Sequence, residues 1–331
     1  MKPYLIDVPV KINIWIRPEC QRRQFEIIKL VRPSILFIQS DGGRNDREWE
    51  IIRSNRRMIE KEIDWECTIY KLYQDKNYGL YTTGLKMREL IWEHVDRCIF
   101  LEDDQLPTIS YFKFCAELLE KYKDDTRIEC ICGFNHLGTY DCGKSDYFFS
   151  RQGSIWGTAS WRRVAEESAN YEYVNDSYVM KLLKQRTKRN KTIWKRLCAY
   201  AKQETYEGHV AGTEFFYEFN MYGQNRLQII PRVNLISNIG CMSDSEHADS
   251  INLLPKGIRS VFNAETYEID FPLRHPSFVI PDIQYEKKRN RIMAYNHPVI
   301  NFYRKCERAY RKIMCGDIKY IVKKIKKKNE K

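Results

Sequence analysis

The sequence lacks long apolar runs, CxxC cysteine pairs and any abundance of glycine or proline. No uncharged apolar run reaches the roughly 18 residues that a transmembrane helix needs, and Met1–Tyr4 does not begin a signal-peptide apolar region. With 15 glycines and 11 prolines, collagen-like and low-complexity character is excluded. The 11 cysteines are scattered and odd in number, which predicts reduced thiols in a cytosolic chain.

What the sequence does contain is enough apolar surface for a substantial core. Of its 331 residues, 43% are hydrophobic and 13% aromatic, so disorder along the whole chain is excluded. This length suits one large domain or two smaller ones. We expect an α/β half at 1–135, a more irregular half at 136–285 and a basic amphipathic tail at 286–331.

The net charge of +12 is distributed unevenly along the chain. The segment Arg304–Lys331 holds 12 Lys and Arg against three Asp and Glu, so it carries +9, and the remaining residues carry +3. A basic balance suggests nucleic acid or an anionic membrane as partner. We recognise no nucleic-acid-binding module in the nearly balanced body, and we therefore expect no nucleic-acid partner.

The first half alternates strand and helix patterns. Strands are expected at Pro9–Ile16, Ser34–Gln39, Glu66–Tyr73, Arg97–Leu101 and Ile128–Gly133. Helices are expected from Pro18 to before Pro33, through Trp49 and Ile59, at Gly79–Val95 and at Ser110–Tyr122. This alternation predicts an α/β fold with a Rossmann-like, mostly parallel sheet flanked by helices, whose ligands bind beyond the carboxyl ends of the strands.

The second half has a less regular pattern. We expect a strand at Tyr147–Ser150, a helix beginning near Ser160, basic helical structure over 174–204 and an aromatic helix at Thr213–Tyr222. A strand is expected at Leu227–Ile236, at a sheet edge or bulge because it contains Pro231.

The strongest chemical pattern is the run Glu102-Asp103-Asp104, which follows the apolar strand Arg97–Leu101. Adjacent carboxylates repel one another unless a cation compensates, and carboxylate oxygens suit Mg²⁺ or Mn²⁺. Strand alternation would place Glu102 and Asp104 on one face. The competing interpretation is an acidic turn that caps the next helix, with Thr108 and Ser110 as rival caps.

Five segments, in order over residues 9–280, resemble bacterial relatives of N-acetylglucosaminyltransferase I, which are GT-A glycosyltransferases. The acidic run is similar to their metal-binding "DXD" element. The other four are Ile14–Glu19, Phe37–Gly42 (its "SDG" segment), Ile155–Arg163 (similar to "WGWATWRR") and Asn234–Gly240 with Asp244 and His247 (similar to "NLVSNIG…D…H"). The match implies a GT-A fold and transfer of a sugar from a nucleotide diphosphate, most simply a UDP-sugar.

The resemblance also implies roles for single residues. Asp104 would bind the metal that bridges the donor pyrophosphate, Asp103 would accept hydrogen bonds from the ribose, and Glu102 would contact the donor sugar or a metal-bound water. Arg17 and Asp41 would lie near the base and ribose. On the residues alone, Arg17 could equally form a surface ion pair, and Asp41 could form a tight turn with the glycines after it.

Three further candidates come from the later segments. His247 is the second metal candidate, and only its place in the resemblance distinguishes it from the other five histidines. Glu214 is the expected general base for an inverting transfer, at a position where the family pattern "W-D-Y-Q-W" has Asp, with Glu218 as its competitor. Trp156 is expected to line the donor site.

The tail and one internal stretch are basic. Residues 302–331 predict a basic amphipathic helix, either lying on an anionic membrane or packed on the body with a solvated lysine end. Lys181–Arg196 is either part of an acceptor site for an anionic or lipid-pyrophosphate glycan, or a solvated helical hairpin.

The combined hypothesis is a Mn²⁺- or Mg²⁺-dependent glycosyltransferase. It would use a glycan or lipid-linked acceptor in surface polysaccharide synthesis, bound peripherally to the cytoplasmic face of the membrane. A sugar-phosphate nucleotidyltransferase and a non-catalytic membrane- or nucleic-acid-binding scaffold are the alternatives.

Overall fold

A computed structural model describes residues 1–166, 175–188, 190–202, 213–240 and 254–314, with the side chains of 199–202 and 213–217 left out. The strands are β1 (Val10–Ile14), β2 (Ile35–Ser40), β3 (Thr68–Tyr73), β4 (Arg97–Phe100), β5 (Gln105–Pro107), β6 (Ile128–Cys132), β7 (Tyr147–Ser150), β8 (Thr158–Trp161), β9 (Leu227–Pro231) and β10 (Ile236–Asn238). The first helices are α1 (Pro18–Val31), α2 (Asp46–Glu62), α3 (Leu80–His94), α4 (Ile109–Lys121) and α5 (Arg162–Glu166). The later ones are α6 (Ser177–Arg186), α7 (Lys191–Lys202), α8 (Thr213–Gly223), α9 (Lys256–Arg259), α10 (Ile283–Ile292) and α11 (Pro298–Met314).

Eight strands form one large sheet in the order β3-β2-β1-β4-β8-β6-β9-β7. The pairs β3–β2, β2–β1, β1–β4 and β6–β9 are parallel, whereas β8 and β7 run antiparallel to their neighbours. The predicted fold class, an α/β chain with a large mostly parallel sheet flanked by helices, is therefore confirmed. A second sheet pairs β5 with β10, with Gln105 opposite Asn238.

The main core lies between the sheet and helices α1 and α4. Pro18 begins α1 at a position where its missing N–H costs nothing, and Phe25 and Ile28 of that helix are fully buried. Phe114 and Leu118 of α4 are buried against the same core. Each such side chain contributes about 1.5–3 kcal/mol through removal of apolar area from water. The core thereby fixes α1 and α4 on either side of the turn after β4.

The second half differs from the sequence expectations in three respects. The helix expected near Ser160 is present as α5, which begins at Arg162, but the residues before it form β8, an unpredicted strand that pairs with β4 and β6 in the middle of the sheet. The single strand expected at Leu227–Ile236 is two strands in different sheets. The first of them, β9, is interior, and Pro231 is tolerated because it is the last residue of the strand.

The cysteines among the described residues are all free thiols. Among the helices in those ranges, none combines the length and the apolar character needed to cross a bilayer. The three-part division at 135 and 285 stays a prediction.

Candidate active site

Arg17 and two carboxylates meet where β1 and β4 end. These strands are parallel neighbours, so their carboxyl ends share one edge of the sheet. Arg17 Nη1 donates to Asp104 Oδ2 at 2.9 Å and lies 3.5 Å from Asp103 Oδ1. The three side chains are only 14%, 11% and 15% exposed, in the order Arg17, Asp103, Asp104. We call these three residues the acidic edge. Their burial does not agree with the alternative of a surface ion pair for Arg17.

The backbone at the acidic edge is a turn and not a continued strand. Strand β4 ends at Phe100, and the amide of Gln105 donates to the carbonyl of Glu102 at 3.1 Å. Gln24 of α1 donates its side-chain amide to the carbonyls of Glu102 and Gln105, at 2.6 and 2.7 Å. Strand alternation therefore does not extend through Glu102 and Asp104, because a turn replaces the strand there and places Asp103 and Asp104 together beside Arg17.

The acidic residues do not serve as the cap of the next helix. Thr108 is the N-cap of α4, and its side chain accepts from the amide of Tyr111 at 3.3 Å. Glu268 accepts from the amides of Ile109 and Ser110, at 3.3 and 2.8 Å. Because these groups already satisfy the start of α4, the capping interpretation does not explain why the acidic run is there.

The acidic edge has an excess of buried negative charge. Burial raises the pKa of Asp103 to about 6, against the opposing effect of Arg17. Burial alone would lower the pKa of Arg17, but Asp103 and Asp104 raise it above its ordinary value. Asp103 Oδ2 and Asp104 Oδ1 are buried and have no hydrogen-bond partner among the residues that the structure describes. Buried carboxylate oxygens without a donor are costly, so this geometry fits a cationic ligand.

The segment after β10 encloses Asp104. The amide of Ile239 donates to the Asp104 carbonyl at 2.8 Å, and the Ile239 carbonyl accepts from Cys20 Sγ at 3.7 Å. A Cβ atom at Gly240 would overlap the Cβ and carboxylate of Asp104. The segment Asn234–Gly240, which the sequence singled out by resemblance, thus lies directly against the acidic edge, and glycine is required there by close approach.

A buried glutamine connects the acidic edge to the Trp156 segment. Gln105 is fully buried, and its Oε1 accepts from the amide of Gly157 at 2.9 Å. Gly157 has φ +59°, and its carbonyl accepts from the amide of Gly133 at 2.7 Å. Trp156 is half-buried against Phe134, with ring centroids 4.9 Å apart. Four of the five sequence motifs therefore converge on one region.

Trp156 lines a cavity of about 230 Å³ beside the sheet. Glu218 of α8 also lines it and forms an ion pair with Arg196 of α7 at 2.7 Å. The predicted base Glu214 lies in the first turn of the same helix, but its side chain is outside the described part. His247, the second metal candidate, also lies outside the described residues. Both assignments stay predictions.

The carboxylate of Asp41 accepts hydrogen bonds from backbone amides. Its carboxylate accepts from the amides of Gly42 and Tyr78 at 3.0 Å and from Gly79 at 2.8 Å. Gly79 precedes α3 with φ +83°. These contacts are those of a turn, and they attach the end of β2 to the start of α3. The role expected for Asp41 at the donor base and ribose stays a prediction.

The charge of Glu102 acts on a lysine that sequence reasoning missed. Burial lowers the pKa of Lys11 of β1 to about 8, and the charge of Glu102 opposes that shift. Lys11 Nζ also donates to Asn13 Oδ1. The predicted contact of Glu102 with the donor sugar stays a prediction.

The other missed residues are buried amides. Gln24 and Gln105 are both fully buried, and they hold the turn of the acidic edge and the Trp156 segment in place. A sequence signal existed for Gln24, because it interrupts the apolar face formed by Phe25 and Ile28. A polar residue within an apolar stripe indicates a specific buried partner. No comparable signal marked Gln105.

The described residues supply only part of a metal-binding site. Over the ranges that the structure describes, no group of three or more His, Cys, Asp or Glu side chains is arranged to hold a metal ion. Asp103 and Asp104 alone supply two carboxylates. Mg²⁺-type ions are commonly held by one or two carboxylates, with phosphate and water oxygens completing the shell. The pair therefore fits a cation that arrives with a phosphate ligand.

No protein-family model and no curated protein matches the chain. Among solved structures, the chain is similar to the mannosyltransferase PcManGT from Pyrobaculum calidifontis in complex with GDP-Man and Mn²⁺, with 11% identity and a TM-score of 0.34. That match covers 49% of this chain and 46% of the neighbour, so the chain spans just under half of its length. UDP-glucose pyrophosphorylase complexed with UDP-glucose is similar at 10% identity and a TM-score of 0.34, over 71% of this chain and 94% of that one. Similarity at these scores carries no argument about function, so the function is argued from the geometry of the site.

Proposed function

We propose that the protein is a GT-A-type glycosyltransferase that moves a sugar from a nucleoside diphosphate, most simply a UDP-sugar, to a hydroxyl group of a glycan or lipid-linked acceptor. The observation that carries this proposal is the acidic edge. Two buried carboxylates, each with one oxygen that has no hydrogen-bond partner in the described ranges, lie beside Arg17 at the carboxyl edge of parallel strands. That edge is where α/β sheets bind their ligands. The relation to bacterial relatives of N-acetylglucosaminyltransferase I is part of the proposal.

Asp104 and Asp103 would hold a Mn²⁺ or Mg²⁺ ion, which supplies Lewis-acid charge that offsets the departing diphosphate. Arg17 adds a permanent positive charge at the same edge and orients Asp104 through its 2.9 Å hydrogen bond. Gly240 packs closely against the Asp104 side chain, where even a Cβ atom would overlap its carboxylate, so the backbone after β10 restricts the position of Asp104.

The acceptor side follows from the cavity that Trp156 lines. Transfer with inversion needs a base near the attacking hydroxyl. Glu214 is proposed for that role; Glu218, which lines the cavity four residues later, is the competitor. Glu218 is already held in an ion pair with Arg196 at 2.7 Å, and we therefore prefer Glu214 for the base.

The test is a panel of nucleotide sugars screened by thermal shift with Mn²⁺, followed by a transfer assay on Asp104→Asn. A ligand that binds the folded state raises its apparent stability, so the correct donor stands out. Asp104→Asn should lower transfer about 100-fold or more and remove Mn²⁺-dependent donor binding. Asp124→Asn, which changes an exposed aspartate after α4, is the matched control and should keep both.

Other outcomes contradict the proposal. Full transfer by Asp104→Asn would exclude the acidic edge as the metal subsite. Release of pyrophosphate from a nucleoside triphosphate and a sugar phosphate would establish the nucleotidyltransferase instead. Absence of nucleotide-sugar affinity with and without Mn²⁺ would establish a non-catalytic scaffold.

We further propose that α11 binds the enzyme to the cytoplasmic face of an anionic membrane. Phe302, Tyr303 and Met314 of this helix are about 70% exposed, at 70%, 67% and 68%. Arginines and lysines lie among them, and Arg304 Nη2 attaches the helix to the Ile292 carbonyl at 2.6 Å. Exposed apolar side chains interspersed with cations suit an anionic bilayer surface. Residues 315–331, which extend the predicted basic tail, lie outside the described part.

Vesicle sedimentation tests this surface. Phe302→Ser with Tyr303→Ser should lower binding to vesicles that contain anionic lipid, because the apolar contribution is lost while the charge is kept. Phe278→Ser, at a side chain that is 75% exposed outside α11, is the matched control and should bind normally. Unchanged binding of the double variant, or equal binding to neutral vesicles, would contradict the membrane proposal.

A further inference from the structure

The cavity beside Trp156 is lined by an unusual concentration of arginine. Arg151, Arg196 and Arg289 contribute to its wall, from the loop after β7, from α7 and from α10. Glu218 is its one acidic lining residue among those described. We call it the arginine cavity. Three cations against one carboxylate give it an excess of positive charge, opposite in sign to the acidic edge.

Two carboxylates offset part of this charge and leave an excess of one cation. Glu218 is already paired with Arg196 at 2.7 Å. Glu286 accepts from the backbone amide of Arg151 at 2.9 Å, and its charge interacts with Arg151 and Arg289. Within the described ranges no carboxylate forms an ion pair with Arg289, which is only 8% exposed and stacks on Tyr295 at 4.7 Å. A buried guanidinium without a carboxylate is costly unless a ligand supplies the anion.

Several polar atoms of the wall still have hydrogen-bonding capacity. Arg289 Nε, Arg151 Nε, Gln152 Oε1 and His136 Nδ1 are buried and have no hydrogen-bond partner within the described residues. Burial, followed by the charge of Arg289, holds the pKa of His136 well below its usual range. His136 is therefore neutral and offers one donor and one acceptor, which suits a sugar hydroxyl.

The shape of the cavity limits the ligand to one small unit. Its volume of about 230 Å³ is below the ~300–1,000 Å³ range of pockets for drug-sized ligands. Trp156 and Tyr222 give it aromatic walls, and Gln152 Nε2 donates to the Tyr222 hydroxyl at 2.9 Å. Aromatic walls with adaptable polar groups suit a single sugar ring, whose C–H faces pack on aromatic side chains.

We propose that the arginine cavity binds an acidic sugar unit of the acceptor, a saccharide ring that carries a carboxylate or a phosphate. The anion pairs with Arg289 and Arg151, and the ring packs between Trp156 and Tyr222. Through the Gln105–Gly157 hydrogen bond this subsite is attached to the acidic edge, so an occupant is held next to the diphosphate subsite. The inference rests on the proposed function, because it names the acceptor of that transfer.

Isothermal titration of the full chain with free sugars, in the absence of nucleotide and metal, tests the cavity directly. D-Glucuronate, glucose 6-phosphate and glucose are the probes, with inorganic phosphate as a fourth. At least one acidic sugar should bind about ten-fold more tightly than glucose and than inorganic phosphate, because charge-assisted hydrogen bonds to arginine are lost with the neutral sugar. The preferred acidic probe identifies carboxylate or phosphate as the anion.

Arg289→Gln should weaken the preferred probe about ten-fold, and Arg151→Gln, in a loop, gives a second variant if the first does not fold. Arg291→Gln, at an exposed position of the same helix, is the matched control and should bind as the parent does. Equal affinity for glucose, equal affinity for inorganic phosphate, or unchanged affinity in folded Arg289→Gln would overturn the proposal. UDP binding in the presence of Mn²⁺ is measured separately. If the parent chain does not bind UDP, the proposed function is wrong. If Arg289→Gln still binds UDP, the arginine cavity and the diphosphate subsite are distinct.

Discussion

The acidic edge and the arginine cavity are neighbouring regions with opposite charge and opposite construction. The acidic edge takes its carboxylates from one turn, Asp103 and Asp104, plus one arginine after β1. The arginine cavity takes its side chains from α7, α8, α10, β9 and several loops. A subsite built from one contiguous turn tolerates movement of distant helices, whereas one assembled from many elements depends on how each is anchored.

The largest expected effect concerns the anchor of α8, which supplies Glu218 and Tyr222 to the arginine cavity. Asn220 of α8 donates to Glu129 of β6 at 2.8 Å, and Arg226 pairs with the same carboxylate at 3.1 Å. The Glu129 and Arg226 side chains are 1% and 4% exposed. Arg226→Met should lower the free energy of unfolding by about 3–5 kcal/mol, because it leaves a buried charge unpaired. Urea denaturation measures this loss.

The same variant has a predictable pH dependence. Burial raises the pKa of Glu129 above its ordinary value of 4.5, against the opposing effects of Asn220 and Arg226. Without Arg226 the pKa of Glu129 rises further. The loss of stability in Arg226→Met is therefore fully present above the pKa that Glu129 has in the folded variant, and it shrinks as pH falls toward 4.5. Arg127→Met, which breaks an exposed pair with Asp125, is the control and should cost at most about 1 kcal/mol. A loss in Arg226→Met that is no larger than this would contradict the anchoring role.

The difference between the two regions also explains what the sequence could predict. The alternation of strands and helices up to Cys132 was predicted to within a few residues apart from the short strand β5, and the α/β class followed from it. Asp103, Asp104 and Arg17 were found because they follow strand ends directly. Position after a parallel strand is a local property that a sequence displays.

The arginine cavity could not be predicted in the same way. Arg151, Arg196 and Arg289 are far apart in the chain, and each is one of many basic residues. The tertiary fold brings them to one cavity, where Arg289 donates to the Gly153 carbonyl at 3.2 Å in the segment that also carries Arg151. Strand β8 was not predicted for a related reason. It is buried between β4 and β6, and such strands show no alternation of apolar and polar residues.

A smaller effect is expected from Gly240→Val, which alters the acidic edge alone. The new side chain would overlap the Cβ and carboxylate of Asp104. Overpacking of this kind costs about 1–3 kcal/mol. Displacement of Asp104 should also weaken Mn²⁺-dependent UDP binding about ten-fold or more, while the affinity for an acidic sugar is unchanged. Calorimetric titrations with both ligands distinguish the two regions.

Gly84→Ala is the matched control for that substitution. Gly84 lies inside α3, and a Cβ atom there would meet nothing within 4 Å. Alanine should therefore raise the free energy of unfolding by about 0.5–1 kcal/mol and leave nucleotide binding unchanged. Normal Mn²⁺-dependent UDP binding in Gly240→Val would show that Asp104 is not confined by the segment after β10.

The smallest effect on stability is expected at the link between the regions. Gln105→Leu conserves much of the side-chain volume but leaves the buried amide of Gly157 without its acceptor, 2.9 Å away in the parent chain. The expected loss is about 1–2 kcal/mol in the free energy of unfolding. UDP and an acidic sugar should each still bind separately, because neither subsite uses Gln105 directly. The transfer rate should fall by a larger factor than either affinity, because the two ligands are no longer aligned with each other. Equal losses in transfer and in both affinities would show instead that Gln105 supports the fold and does not align the two subsites.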